Sequence, residues 1–408
     1  MTQALAPLSR PDQTVAIVGA GIAGVKTAET LREAGFPGRV VLVGEEPHPP
    51  YDRPPLSKAV LLNAGHEAEI GLSPDGGLEA LNVELRLGCA ATGIDRQGRR
   101  ILLSNCDPIA YDRLVLATGS SLRVLPELPP SRAGVHYLRG LDDALALRGA
   151  LAKAKRVAII GAGVIGLEVA AAATKFGPAV TVVDVAPRVM SRAASAPIAE
   201  FVAGRHRAEG VDIRLGVGVA SVAEGEGGFV LTLSDGQAVS ADRVVVGIGV
   251  TPNDRLARDC GLAVEAGGVV VDEHGMSSDP AIYAAGEVAL HFNNVHGRHD
   301  RQETWAHALA HGEHVGRALV DPQAGYAELG SYWSDQYDFS LNVVGAPTGD
   351  ADQAPTHRPV EAGAAGPRPA PRCAGAVLPV VPPWSAVTPT YRATDRVTIS
   401  ATIAASKA

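Results

Sequence analysis

Runs of apolar residues without polar alternation punctuate this chain, and glycine turns end them. Val15-Ala16-Ile17-Val18 is apolar at every position and stops at Gly19-Ala20-Gly21-Ile22-Ala23-Gly24. Such a run predicts a short parallel strand buried on both faces. Helical spacing follows from Ile22 to Ala34, with Gly35 as the stop. The next strand, Val40-Val41-Leu42-Val43, ends at Gly44-Glu45. The same order recurs later. Val157-Ala158-Ile159-Ile160 meets Gly161-Ala162-Gly163-Val164-Ile165-Gly166, a helix spans Val164 to Phe176, and Val180-Thr181-Val182-Val183 ends at Asp184. Residues 83 to 118 and 211 to 250 read as β segments, closed by Leu116-Ala117-Thr118-Gly119 and Gly247-Ile248-Gly249 respectively. A strand, glycine turn, helix, acid-ended strand and glycine-ended strand, twice over, predict an α/β fold with two nucleotide-binding domains of one topology.

The glycines carry the chemistry. Gly19 and Gly161 permit the tight turn, Gly21 and Gly163 let a pyrophosphate approach the backbone, and Gly24 and Gly166 let helix and strand pack closely. Amides and dipole at each helix start favour phosphate. One glycine triplet is a weak signal; two copies, each between a strand and a helix, are a strong one. Glu45 lies 26 residues past Gly19 and Asp184 lies 23 past Gly161, both placed to accept hydrogen bonds from a ribose, with Glu46 as the fallback for Glu45. An acid at Asp184 favours the free 2′-hydroxyl of NADH over the 2′-phosphate of NADPH, and Arg188 works against that preference.

Three further stretches are candidates. Tyr51-Asp52-Arg53-Pro54-Pro55-Leu56-Ser57-Lys58 enters extended and turns helical after the proline pair. Lys58 falls early in that helix, where the dipole disfavours it, so either a functional partner holds it or it is a solvated lysine. Ile282-Tyr283-Ala284-Ala285-Gly286-Glu287 is a strand ending in a carboxylate that could hold ligand hydroxyls or cap a turn, before a helix starting near Glu303 or Thr304. Six of the 12 histidines fall between His291 and His314. His307, His311 and His314 share a helix face, which suits zinc or nickel, but a solvated or partner-facing helix accounts for them and no metal is expected.

Composition narrows the classes. At 408 residues the chain holds two or three domains. A formal charge of −8 argues against a nucleic-acid partner. Cys89, Cys106, Cys260 and Cys373 form no C-x-x-C pair and no metal-ligand spacing, which argues for a reducing compartment and against structural zinc or a redox dithiol. There is no secretory pattern at the start and no run near the ~18–20 apolar residues of a membrane span, so a cytoplasmic protein with no membrane partner is expected. Residues 351–408 hold nine of the 29 prolines and 14 alanines, and 351–390 are expected to be irregular.

With these motifs in order, the chain resembles the FAD-dependent NADH:ferredoxin reductases that serve bacterial aromatic-ring dioxygenases and some haem monooxygenases. The resemblance spans residues 13–349 and also uses Glu303-Thr304-Trp305 and Trp333-Ser334-Asp335-Gln336. It implies a flavin disulfide-reductase-type fold of two three-layer nucleotide-binding domains and an atypical, shortened C-terminal α+β domain. The implied boundaries are 12–121 with 254–326 for a discontinuous FAD domain, 122–253 for an NADH domain, and 327–408 for the C-terminal domain. It implies FAD at Gly19, Gly21, Ile22, Ala23, Gly24, Glu45, Lys58, Ala91, Ala117, Thr118, Gly119, Arg139, Glu287 and Trp305. It implies NADH at Gly161, Gly163, Val164, Ile165, Gly166, Glu168, Asp184 and Gly249, with Lys58 near the flavin ring and Glu168 near the nicotinamide. Glu287 stands where the family usually has aspartate, and the tail departs from the family after about residue 350, by divergence or by a shifted reading frame.

The activity so implied is hydride transfer from NADH to FAD, then single electrons to an iron–sulfur ferredoxin. No cysteine falls in the stretch around Lys58, as a disulfide reductase or peroxidase-like relative would need. A basic patch for an acidic ferredoxin would draw on Arg298, Arg301 and Arg317. Two alternatives stay open: a rubredoxin reductase or NADH oxidase on the same scaffold, and a flavin-binding interaction protein without productive electron transfer. A homodimer is also left open.

Overall fold

The computed structural model describes residues 6–72, 77–225, 227–322 and 324–345, together with the backbone of Thr356–Arg358 and Val397–Thr402. The first apolar run is the strand Thr14–Val18, in the middle of a parallel five-stranded sheet. Its neighbours are Arg39–Val43, flanked by Val83–Arg86, and Arg113–Leu116, flanked by Ile282–Ala284. The run lacks polar alternation because both faces are covered. Val15 and Ile17 pack into one apolar cluster with Val40 and Leu42, while Ala16 and Val18 pack into another with Val41 and Val43.

The second apolar run, Arg156–Ile160, is the middle of a like sheet between Ala179–Asp184 and Arg243–Val246, with Asp212–Leu215 and Val135–His136 at its edges. The chain therefore leaves the first sheet after Arg113–Leu116, builds the second, and returns with Ile282–Ala284.

Helix Ile22–Glu33 packs on helix Trp305–Val320 through two glycines that the sequence reading passed over. A Cβ on Gly312 would lie 2.4 Å from the Ala23 carbonyl oxygen, and one on Gly316 would lie 2.8 Å from that of Thr27. The helix starts at Trp305 because the Thr304 hydroxyl caps it, accepting the His307 backbone N–H at 3.2 Å.

The strands Ser331–Gln336 and Phe339–Val344 form a hairpin whose Phe339, Leu341 and Val343 are buried in the same cluster as Ile198 and Val202. Val397–Thr402 runs parallel to Phe339–Val344, with Thr356–Arg358 antiparallel beyond it. That last strand departs from the irregular structure expected for 351–390, whose remainder lies outside the described residues.

Cys89 and Cys106 are joined in a disulfide, so the argument for a reducing compartment from cysteine spacing loses its support. The strands Ala91–Asp95 and Arg100–Leu103 pair antiparallel and bring the two flanking cysteines together, a meeting the 17-residue separation alone does not signal. Among the described residues, no helix is long and apolar enough to cross a membrane.

Candidate functional site

Both glycine turns open onto one cleft of ≈ 1980 Å³. That exceeds the roughly 300–1,000 Å³ of ordinary small-molecule pockets and suits two dinucleotides. The turns are built alike. A Cβ on Gly19 would lie 2.0 Å from the Ala117 carbonyl oxygen, and one on Gly24 would lie 1.9 Å from that of Gly19. In the second turn, Gly161 meets the Gly247 oxygen at 2.2 Å and Gly166 meets that of Gly161 at 2.0 Å. Nothing lies within 4 Å of a Cβ on Gly21 or Gly163. The outer glycines are thus fixed by protein packing, while the middle ones face open space where a pyrophosphate fits. Helices Ile22–Glu33 and Val164–Thr174 begin directly after these open positions.

Lys58 lies between the 3₁₀ turn Pro54–Ser57 and the short helix Ala59–Leu62. Its ammonium pairs with Glu168 Oε2 at 2.8 Å, which answers what holds a lysine there. The Glu168 side chain is 1% exposed and fully engaged. Ser57 Oγ also donates to Oε2, and Ser334 Oγ donates to Oε1 at 2.6 Å. A buried carboxylate requires such partners. Two positions 110 residues apart thus form one ion pair in the cleft wall.

At the other end of Lys58's neighbourhood, Trp305 Nε1 donates to Asp52 Oδ1 at 2.6 Å. Burial raises the Asp52 carboxyl above its ordinary range, against the opposing pull of the Trp305 N–H and Lys58. Trp305 also meets Trp333 edge to face, with centroids 5.3 Å apart. Arg139 Nη2 pairs with Glu287 Oε2 at 3.0 Å, and both line the cleft beside Gly119. Of the two candidate ribose acids, Glu46 is occupied by Arg53 at 2.5 Å and by the Tyr51 hydroxyl. Burial works to raise the Glu46 carboxyl, but Arg53 and Tyr51 outweigh it and hold it low. Glu45 is exposed at the cleft edge and remains the candidate. Ala91, Ala117 and Thr118 also line the cleft, and the Thr118 hydroxyl donates to the Asn253 carbonyl at 2.8 Å.

In the second half, Val164, Ile165, Asp184 and Gly249 line the same cleft. Asp184 already accepts two backbone amides, Ala162 at 2.6 Å and Ala186 at 2.7 Å. Each oxygen keeps a further lone pair, so the acid both shapes the turn and can take a hydroxyl. Gly249 sits at φ +99°, a left-handed backbone that leaves the strand end without a side chain toward the cleft.

Two expectations fail on geometry. His307 and His311 are buried rather than solvated, because helix Trp305–Val320 turns that face onto strand Ala289–Asn293 and His291. His314 is not their companion: it donates to the Glu273 carbonyl at 2.8 Å. Arg317 is at the far end of the helix whose first turn borders the cleft, so it does not belong with Arg301, which lines the cleft and pairs with Glu303 at 2.5 Å. Sequence patterning gave no sign of Ser57 and Ser334 as partners of the buried acid, nor of Gln336 and His206 as the bonds behind Ser334. Trp333-Ser334-Asp335-Gln336 had been singled out as a motif, but only the hairpin's packing reveals what it touches.

Residues 13–312 match the family model described as pyridine nucleotide-disulphide oxidoreductase. The anthranilate 1,2-dioxygenase system ferredoxin–NAD(+) reductase component of Burkholderia cepacia is 41% identical over 331 residues, 81% of each chain. The rubredoxin–NAD(+) reductase of Pseudomonas putida is 38% identical over 334 residues, 81% of this chain and 86% of that one. Among solved structures, the covalent putidaredoxin reductase–putidaredoxin complex superposes with a TM-score of 0.80 at 36% identity, covering 85% of this chain and 84% of that one. The chain belongs to the pyridine nucleotide-disulphide oxidoreductase family.

Proposed function

We propose that this protein is an FAD-dependent reductase that takes a hydride from NADH and delivers electrons one at a time to an iron–sulfur ferredoxin feeding an oxygenase. The observation that carries the reading is the Lys58–Glu168 pair in the wall of a cleft bordered by both glycine turns. Supporting it are relatives named as ferredoxin reductases of oxygenase systems that match over most of both chains.

FAD would be held by Gly19, Gly21, Ile22, Ala23 and Gly24 at its pyrophosphate, Glu45 at its ribose and Ala91 at its adenine. Lys58, Ala117, Thr118, Gly119, Arg139, Glu287 and Trp305 would hold the remainder. NADH would lie over Gly161, Gly163, Val164, Ile165 and Gly166, with Asp184 at its ribose and Glu168 and Gly249 beside its nicotinamide end. Residues 12–121 and 254–326 would form the FAD domain, 122–253 the NADH domain and 327–408 the C-terminal domain. Bound FAD supplies the redox chemistry, accepting two electrons as hydride and releasing them singly.

The chain's own contribution is electrostatic and positional. The half-buried Lys58 ammonium offers positive charge in a partly dry site, where it stabilises the negative charge that reduction brings. Glu168 fixes that ammonium, and Ser57 and Ser334 fix Glu168. No cysteine flanks Lys58 in the turn or helix that carries it. Electrons would therefore leave to a separate acceptor rather than to a dithiol beside Lys58.

Anaerobic NADH titration followed by candidate acceptors tests the reading. Bleaching of the flavin and reoxidation by a [2Fe–2S] ferredoxin, slowing as salt rises, is the expected result. Reoxidation by rubredoxin or oxygen alone would establish the scaffold's other activities instead. A flavin that NADH does not bleach would leave only a binding role.

A further inference from the structure

Beside Glu287, where the His311 ring accepts the Gly286 N–H, lies a cluster that the proposed reaction does not use. His291 comes from strand Ala289–Asn293, and His307 and His311 come one turn apart from helix Trp305–Val320. All three are buried, and one nitrogen from each lies within 4.8 Å of the others. The ring centroids are 4.6 Å apart for His291 and His307, 5.0 Å for His291 and His311, and 5.1 Å for His307 and His311. His307 Nε2, His311 Nε2 and both nitrogens of His291 have no hydrogen-bond partner. Each unpaired buried polar atom costs about 1–3 kcal/mol, so four at one spot call for a ligand.

We propose that His291, His307 and His311 form a buried binding site for a zinc ion. Imidazole nitrogen is a preferred ligand of this cation, and three such ligands with water in a fourth position complete a tetrahedron. Two of the three rings have a fixed outer partner, one able to accept the ring N–H, as is usual for a ligating histidine, and one that donates to the ring. His307 Nδ1 is bonded to the Tyr326 hydroxyl at 2.9 Å, and His311 Nδ1 accepts the Gly286 N–H at 3.1 Å. Zinc–nitrogen bonds of about 2.0–2.1 Å set neighbouring ligand nitrogens about 3.4 Å apart. Binding would close the present spread to that by turning the rings, with the Tyr326 side chain packed against all three.

The charge balance follows from the hydrogen bond at Gly286. Because that amide donates to Nδ1, the neutral His311 carries its proton on Nε2. A cation binding Nε2 replaces this proton, which leaves to solvent. The ring then carries one negative charge against the dication and still accepts from Gly286. Asp300, directly opposite His291 on the neighbouring strand Arg298–Asp300 and bonded to His296, is the acid acting on His291. Zinc here would brace the helix start that carries Trp305 against the strand following Glu287.

The test uses FAD-loaded protein with any histidine tag removed. It is exposed to zinc sulfate, desalted and dialysed, and its metal content is measured alongside a His307→Gln variant. About one zinc per chain in the wild type, falling below about a tenth in a variant that still holds FAD, is the expected result. A wild type retaining less than about a tenth of an equivalent overturns the proposal, as does zinc that the variant keeps in full. If the variant does not take up FAD, cobalt(II) decides on the wild type. Tetrahedral ligand-field bands with release of about one proton per ion support the site, and an octahedral spectrum alone overturns it.

Discussion

Ser334 Oγ donates to Glu168 Oε1 at 2.6 Å and accepts from Gln336 Nε2 at 2.9 Å, tying the C-terminal hairpin to the buried acid behind the second glycine turn. The direction of every bond follows from the carboxylate being an acceptor only. Gln336 spends its amide N–H on Ser334, so its Oε1 accepts from His206 Nε2 at 2.7 Å, and His206 Nδ1 is left to accept from the Tyr337 hydroxyl at 2.9 Å. Replacing Ser334 with alanine removes a donor to an ionised buried group and strands the Gln336 amide. The expected cost is about 1.5–3 kcal/mol in urea unfolding at neutral pH, with Ser334→Thr recovering most of it. NADH reduction of the bound flavin should slow in the alanine variant at unchanged FAD content. Equal stability of the two variants would remove Ser334 from the support of Glu168.

Lys58 and Glu168 should behave as a unit. Lys58→Met leaves a buried carboxylate without its cation, and a loss of about 3–5 kcal/mol is expected, whereas Lys58→Met with Glu168→Leu should lose less than the sum of the two single changes. The flavin readout separates function from folding. In Lys58→Met, the midpoint potential should move negative and reduction by NADH should slow by about tenfold or more, because a positive charge that favours the reduced state has gone. An unchanged potential and rate would refute the electrostatic role while leaving the structural one.

The glycine turns were legible in the sequence because backbone sterics dictate them. Gly19, Gly24, Gly161 and Gly166 each sit where a Cβ would strike a carbonyl oxygen, so the residue type reports the packing directly. The strand runs were legible for a like reason, since clusters on both faces of Thr14–Val18 forbid polar residues. The Lys58–Glu168 pair was not, because its members are 110 residues apart and meet only through the docking of two sheets. His307 and His311 had the right spacing for one face, but spacing does not say whether a face is wet. That depended on which strand helix Trp305–Val320 covers, and His291 on that strand supplies the third ring.

Asp184 offers a sharper test of nucleotide choice than of folding. Its two backbone bonds, to Ala162 and Ala186, hold the carboxylate at the end of strand Ala179–Asp184, facing the cleft. Asp184→Asn keeps one acceptor but turns an amide toward the other N–H and removes the charge that would repel a 2′-phosphate. The kcat/KM for NADH should fall by about tenfold while that for NADPH falls less or rises, so their ratio narrows. A preference for NADH that survives intact would assign Asp184 to turn geometry alone.

His206 predicts a specific loss of stability in acid. Burial pushes its imidazole down to about 4 from 6.5, with the nearby Arg205 adding to the fall and the Gln336 carbonyl opposing it. Above pH 6.5 the ring is neutral in both folded and unfolded chains and the term is absent. As pH falls below 6.5 the unfolded chain takes up a proton that the folded one refuses, and stability drops until the folded pKa near 4 is passed. The full drop amounts to about 3 kcal/mol at most. In metal-free protein His291 and His307, held low by burial at about 4 and about 3, add losses of the same sign. The comparison therefore has to be made against His206→Gln, whose amide can still donate to Gln336 but does not titrate. Urea unfolding followed from pH 7 to pH 4 should show the variant's curve shallower by about one proton across that window, crossing toward the wild type at the acid end. Parallel curves would mean that His206 is protonated alike in the folded and unfolded chain, and the Gln336 Oε1 acceptor would then be bonded to an imidazolium.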